Sequence, residues 1–198
     1  RFGAKGKLQH CILYPSNAFF FKNTEDTYIQ DQLILQVGHS SHHGNEHQKI
    51  FKIIKNFDDD ELEVHCPLAY GDVNNARAVS KAGTEFFGSR FHPMNDFIEL
   101  GEYRAYLAKI DIAIFNLRRQ QAMGNIITLL GLGKKVVINP QSTVWKDFEK
   151  LGLKVFSLSN FDLSKLDKEN ARRNSNIISS TFSIEALIEQ YSKIYYGK

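Results

Sequence analysis

From Gln32 onward the chain alternates short apolar runs, each stopped by Gly, Pro or Asn, with stretches in which apolar residues recur at helical spacing. The runs are LILQVG at 33–38, LEVHCP at 62–67, a weak one around RFHPM at 90–94, DIAIFN at 111–116, KVVINP at 135–140 and KVFSL at 154–158. Between them the period predicts helices over 45–56 (Ile50, Ile53, Ile54, Phe57), 74–87 (Ala76, Val79, Gly83, Phe86), 100–109, 121–132 and 143–151. Spacings of roughly 20–30 residues from one run to the next suit a crossover unit, and near-continuous apolar runs suit strands covered on both faces. The pattern predicts an α/β fold, a doubly wound parallel sheet of about six strands of Rossmann-like type. A last amphipathic stretch, SIEALIEQYSKIYY at 183–196, predicts a C-terminal helix laid back over the domain.

The 198 residues allow one large domain, or one domain with an appendage. With 42% hydrophobic and 24% charged residues the chain is neither disordered nor fibrous. No window approaches the roughly 18 apolar residues of a membrane span, and the opening RFGAKGKLQHCILYP lacks the features of a signal peptide, so a cytosolic location is expected. Arg1 stands where a Met would begin a full chain, so a chain cut out of a longer one, or processed, is expected. Residues 1–31 show no sustained period and read as a linker or the remnant of an N-terminal domain; Phe19, Phe20 and Phe21 must bury against something. Residues 32–198 form the α/β domain. Cys11 and Cys66 make no CxxC and read as buried thiols rather than a disulfide framework or zinc site. A net charge of +3, with basic residues scattered among 22 acids, points away from nucleic acid.

In an open parallel sheet, ligands bind beyond the C-terminal ends of the strands. After the first run comes GHSSHHGNEH, in which Gly38, His39, Ser40 and Ser41 lead into a helix N-terminus, an arrangement that suits phosphate. His39, His42, His43 and His47 also allow a metal reading, since the pairs 39/43 and 43/47 have i,i+4 spacing; Gly44 and Asn45 start the helix too late for that, and a merely solvated loop is the third alternative. After the fourth run, Asn116, Arg118, Arg119, Gln120 and Gln121 gather at the mouth of a helix that continues through Gly124 and Asn125. Guanidiniums and amides beside a helix N-terminus suit a diphosphate and a hydroxylated sugar; an ordinary charged turn is the alternative. In AYGDVNN, Tyr70 could stack or hydrogen-bond, while Gly71 and Asp72 equally suit a turn and an N-cap. In RFHPMNDF, Phe91 and Pro93 could frame a flat base, or form a turn and a core aromatic. DDDE at 58–61 reads as a helix-to-strand loop rather than a metal motif.

The strand, polar loop and helix followed by GKKVVI at 133–138 resemble the C-terminal, donor-binding domain of GT-B glycosyltransferases. More narrowly, LQVGHSSHHGNEH, AYG and DIAIFNLRRQQAMGNIITLLGLGKKVV resemble the bacterial dTDP-4-acetamido-4,6-dideoxygalactose (4-N-acetylfucosamine) transferase family, over about residues 33–138 and most specifically at Asn116–Asn125. The resemblance implies a glycosyltransferase that moves this sugar from dTDP to a polyprenyl-diphosphate-linked glycan of enterobacterial common antigen type. It implies a location peripheral to the cytoplasmic face of the inner membrane and a chain that carries mostly the donor half. The nucleotide would lie across residues 38–41, 91–93 and 116–125. Arg and helix N-termini would serve in place of a divalent metal, and the general base is unnamed. Two Glu eight residues apart in retaining GT-B enzymes are here replaced by Gln120 and Thr128, and loss of the second suits a deoxyribose that has no 2′ hydroxyl to offer. The rivals are a nucleotide-sugar epimerase and a non-catalytic nucleotide-sugar-binding module.

Overall fold

The computed structural model describes residues 32–57 and 60–197. The readings of residues 1–31, Cys11 and the three phenylalanines included, lie outside the described residues, as do two of the four positions of DDDE.

Five parallel strands form one sheet: β1 (Leu33–Val37), β2 (Leu62–Pro67), β3 (Phe91–Met94), β4 (Ile112–Phe115) and β5 (Lys135–Ile138), in the order β3-β2-β1-β4-β5. The chain winds outward from β1 to β3, then returns to lay β4 against the other side of β1, with Leu35 opposite Ile112 and Val37 opposite Ile114. The crevice between β1 and β4 is therefore the switch point where ligands of such sheets bind. Helices α1 (His47–Ile54) and α2 (Val73–Phe87) cover one face, and α3 (Leu100–Lys109), α4 (Met123–Gly131), α5 (Thr143–Leu151) and α6 (Lys168–Thr181) the other. The residues IAIF and KVVI of β4 and β5 are buried throughout, as strands covered on both faces require.

The sixth run is not a sixth strand. Only Phe156 pairs, bridging Val137, with its N–H donating to Val136 at 3.0 Å and its carbonyl accepting from Ile138 at 2.8 Å. At Ser157 the chain turns into a short 3-10 segment closed by a reciprocal Ser157–Asn160 capping box, which ends the pairing after one residue. Lys135 fastens the returning segment: its Nζ, on a side chain 1% exposed, donates to Asp162 Oδ1 at 2.7 Å and to the carbonyls of Asp162 and Ser164 at 3.0 and 2.9 Å.

Helix α6 lies in a stretch where no helix is expected. It is needed because α4 is apolar all round, with Ile126 through Gly131 all buried, so the side turned away from the sheet needs a second cover. Ile178 supplies it, and Asn174 ties α6 to Lys154 through both backbone groups. The C-terminal helix forms as α7 (Ile184–Tyr196): Ala186, Leu187, Gln190 and Ser192 are half-buried, none of its residues is fully buried, and Ile188, Tyr195 and Tyr196 are largely exposed. Cys66 is buried, as expected, with its thiol donating to the Val37 carbonyl.

Candidate functional site at the switch point

β1 ends at Gly38, whose N–H donates to Ile114 at 2.9 Å and holds the loop against β4. Its φ of 71° lies in the region that favours glycine, and a Cβ there would fall 2.8 Å from His47 Nε2 and 3.0 Å from Asn45 Oδ1. Asn45, fully buried, organises the loop: its Nδ2 donates to the Ser40 carbonyl at 2.9 Å, Ser40 Oγ at 3.2 Å and the His42 carbonyl at 3.1 Å, while Oδ1 pairs with His39 Nδ1 at 3.1 Å. Ser41 donates through N–H and Oγ to the Tyr70 carbonyl at 2.7 and 3.0 Å, and its own carbonyl accepts from Asn75 at 2.6 Å.

Ser40 and Ser41 are both 1% exposed, and their hydroxyls are bonded within the loop. His42 and His43 face solvent, whereas His39 and His47 turn inward. Burial pulls the His39 pKa down, partly offset by the bond to Asn45, and lowers that of His47 to about 4, so His47 is neutral at pH 7. Among the described residues no three His, Cys, Asp or Glu are grouped to hold a metal ion.

Across the crevice, Asn116 is 7% exposed and its Nδ2 donates to Glu46 Oε2 at 2.6 Å, so it clasps the two loops together. Arg118, Arg119 and Gln120 are exposed at the C-terminal end of β4, and Gln121 is half-buried. Helix α4 then starts from Ala122, a non-glycine residue at φ 58°, with no side-chain cap and no acid in its first turn. Its leading N–H groups thus face the crevice without the oxygen that usually satisfies them. Gly124 and Asn125 lie in that first turn. Thr128 is 3% exposed and its hydroxyl donates to the Gly124 carbonyl at 2.7 Å.

Beyond β2 and β3 lies a cavity of about 240 Å³ lined by His39, Pro67, Ala69, Tyr70, Met94, Asp96, Phe97, Ile98, Leu100 and Tyr103. Tyr70 (78% exposed) and Phe97 (88% exposed) stand at its rim. Tyr103 lines this cavity, and burial pushes its hydroxyl up to about 12, offset in part by Asn125 of the first turn of α4. Phe91 is corrected to a core residue. It packs edge-on against Phe51 at 5.5 Å and lies over Gly83, where a methyl would overlap its ring. Pro93 sits in β3 opposite Cys66 rather than at the cavity. The apolar wall of Met94, Phe97, Ile98, Leu100 and Tyr103 is the part of the cavity that sequence reasoning missed; its signal is the pair Phe97 and Ile98 in NDFIE, the loop between β3 and α3, where no strand or helix position calls for them.

Two other groups lie outside this crevice. On the face under α3, the His65 ring lies tilted to that of His92 at 4.6 Å and stacks on Tyr106 at 5.7 Å, His92 bonds Glu63, and burial lowers the His65 pKa to about 4. A wide groove along α6, lined by Lys168, Arg172 and Arg173 among others, is built by one helix and is remote from the strand ends.

A family model for 4-alpha-L-fucosyltransferase, glycosyl transferase group 56, matches residues 8–184. The chain belongs to this family of glycosyltransferases. The fold is shared with a glycosyltransferase from Rickettsia africae, at 11% identity and TM-score 0.67 over 85% of this chain and 48% of that one. It is also shared with a UDP-forming trehalose-phosphate synthase from Burkholderia xenovorans (7%, TM-score 0.63, 92% and 50%) and with a UDP-N-acetylglucosamine 2-epimerase (16%, TM-score 0.51, 85% and 44%). The chain spans about half the length of these solved proteins.

Proposed function

We propose that the β1/β4 crevice binds a nucleoside diphosphate-sugar and that the chain is the donor-binding half of a glycosyltransferase. The observation that carries this is the uncapped N-terminus of α4, opened by the left-handed Ala122, free of acids in its first turn and flanked by the exposed Arg118 and Arg119. That is an anion site with two guanidiniums able to grip a diphosphate. The nearby cavity, apolar and of about 240 Å³, suits the donor's base. In transfer, the leaving diphosphate gains negative charge as the sugar–oxygen bond breaks; fixed N–H groups and guanidiniums stabilise that charge without reorganising.

For the finer assignment, the resemblance at Asn116–Asn125 supports 4-acetamido-4,6-dideoxygalactose on dTDP as donor. It supports a polyprenyl-diphosphate-linked glycan as acceptor, with the full-length protein working at the cytoplasmic face of the bacterial inner membrane. Among the described residues no helix is long and apolar enough to cross a membrane, so contact with a lipid-linked acceptor would be peripheral. Incubating the full-length protein with dTDP-4-acetamido-4,6-dideoxygalactose and a lipid-linked disaccharide tests this. Sugar should appear on the lipid and dTDP in solution; epimerised donor without transfer would point instead to an epimerase, and donor binding without either product to a binding module.

A further inference from the structure

Glu46 closes the 3-10 turn His43–Asn45 in the left-handed conformation, with its N–H donating to the His43 carbonyl at 3.0 Å. It is one of two non-glycine residues with positive φ among the described residues, at φ 50° and ψ 40°; the other is Ala122, where α4 starts. Such conformations persist where the surroundings impose them, and they collect at functional sites. Glu46 also occupies the N-cap position of α1, where an acid would be expected to satisfy helix N–H groups, yet its side chain makes no cap bond. Asn116 draws the carboxylate away instead, toward the β4 loop.

The carboxylate is only half used. Asn116 Nδ2 at 2.6 Å and Lys49 Nζ at 3.1 Å both reach Oε2, and among the described residues none donates to Oε1. The Lys49 ammonium is 61% exposed, so that pair is screened and fixes little. What remains is a partly exposed carboxylate oxygen, held at the switch point by a short amide bond and lacking a donor. A diphosphate offers no hydrogen at neutral pH and is repelled by this charge; a hydroxyl or amide N–H of a neutral group completes it.

We propose that Glu46 receives a hydroxyl or amide N–H of the donor sugar, whose hydrogen it accepts on Oε1. The crevice is then divided by charge. Arg118, Arg119 and the α4 N-terminus hold the diphosphate on one side, and Glu46 repels it from the α1 side and takes the sugar. This rests on the donor-site reading above and adds the direction in which the donor lies.

Glu46→Gln is the test, because its amide oxygen still accepts from Asn116 while the open oxygen becomes an NH₂. Binding of dTDP and of dTDP-4-acetamido-4,6-dideoxygalactose to the full chain is compared by titration calorimetry. The expected result is dTDP affinity within twofold of wild type and at least tenfold weaker binding of the sugar nucleotide. Glu46→Gly, which relieves the positive φ and so favours folding, should give the same split. Equal losses for both ligands would make Glu46 a clasp only, and no loss for either would remove it from the site. Lost turnover with both affinities intact would move it to the acceptor side; each of these three results overturns the proposal. Failure of the wild-type chain to bind dTDP at all would instead strike the donor-site reading.

Discussion

Asn45 is the residue whose removal should cost the domain most for its size. Its amide donates to two carbonyls and a hydroxyl and accepts from His39, all inside a loop shielded from water. A neutral hydrogen bond contributes about 0.5–1.5 kcal/mol net, and an acceptor left buried without a donor costs about 1–3 kcal/mol. Asn45→Ala leaves the Ser40 and His42 carbonyls short of a donor, so a loss of about 2–4 kcal/mol is expected, a large share of an ordinary domain's 5–15 kcal/mol. In urea, with a slope of about 1–3 kcal/mol per molar, the midpoint should fall by roughly 1–3 M at constant slope. Asn45→Asp is isosteric but turns an oxygen toward those same carbonyls. At neutral pH it should be at least as damaging as Ala, and it should recover relative to Ala on acidification, when the protonated carboxyl can donate again. Unfolding of Asn45→Ala within about 0.5 kcal/mol of wild type would refute this account of the loop.

Four further outcomes are expected. Arg119→Ala and Gln121→Ala should weaken donor binding about tenfold or more, since a charge-assisted hydrogen bond is worth about 1.5–3 kcal/mol, while Lys134→Ala at the far end of α4 should leave it unchanged; calorimetry decides. His47, with a folded pKa of about 4 against an ordinary 6.5, binds its proton more weakly folded than unfolded, so its contribution is full above pH 6.5 and is lost as pH falls toward 4. Over that range it should cost on the order of 3 kcal/mol, absent in His47→Gln; an NMR titration of His47 with a midpoint near 6.5 would contradict this. Asp162, held down to about 2 chiefly by its bond from Lys135, contributes above the usual carboxylate pKa and loses this as pH falls toward 2. The melting-temperature gap between wild type and Asp162→Asn should therefore close between pH 4 and pH 2, and a constant gap would count against the Lys135 clamp. Stabilisation by dTDP should be the same in EDTA as in Mg²⁺, about 2.7 kcal/mol at 100 times the dissociation constant; a strict metal requirement would defeat the Arg and helix-terminus mechanism.

The centre of the sheet was legible because β1, β4 and β5 are buried almost throughout and so read as apolar runs, which end at Gly38, Asn116 and Asn139. KVFSL misled because a single residue pairs before the capping box at Ser157 turns the chain away. α6 was hidden by its own polarity, since only Asn174 and Ile178 are buried in KENARRNSNIISST. Its trace lies elsewhere, in the all-round apolar α4 that must be covered twice. At the site, the sequence showed which loops converge but not which way their side chains turn. Ser40, Ser41 and Thr128 bear hydroxyls that a ligand could use, and neighbouring backbone and the Asn45 amide use them first. Phe91 against Phe97 is the same lesson for aromatics: one faces α2 from a strand and the other stands 88% exposed at a cavity rim, three residues past the strand's end. The Glu46–Asn116 contact joins separate crossover units, so no local pattern announces it.

The central claim, that a nucleoside diphosphate occupies the β1/β4 crevice, is tested most directly by following backbone amide resonances of the full chain while dTDP is titrated in. The account expects saturable shifts concentrated at Gly38–His39, at Met94–Leu100 and at Arg118–Asn125, with the α6 groove from Lys168 to Ile177 unmoved. Shifts centred on that groove, or none that saturate, would contradict it.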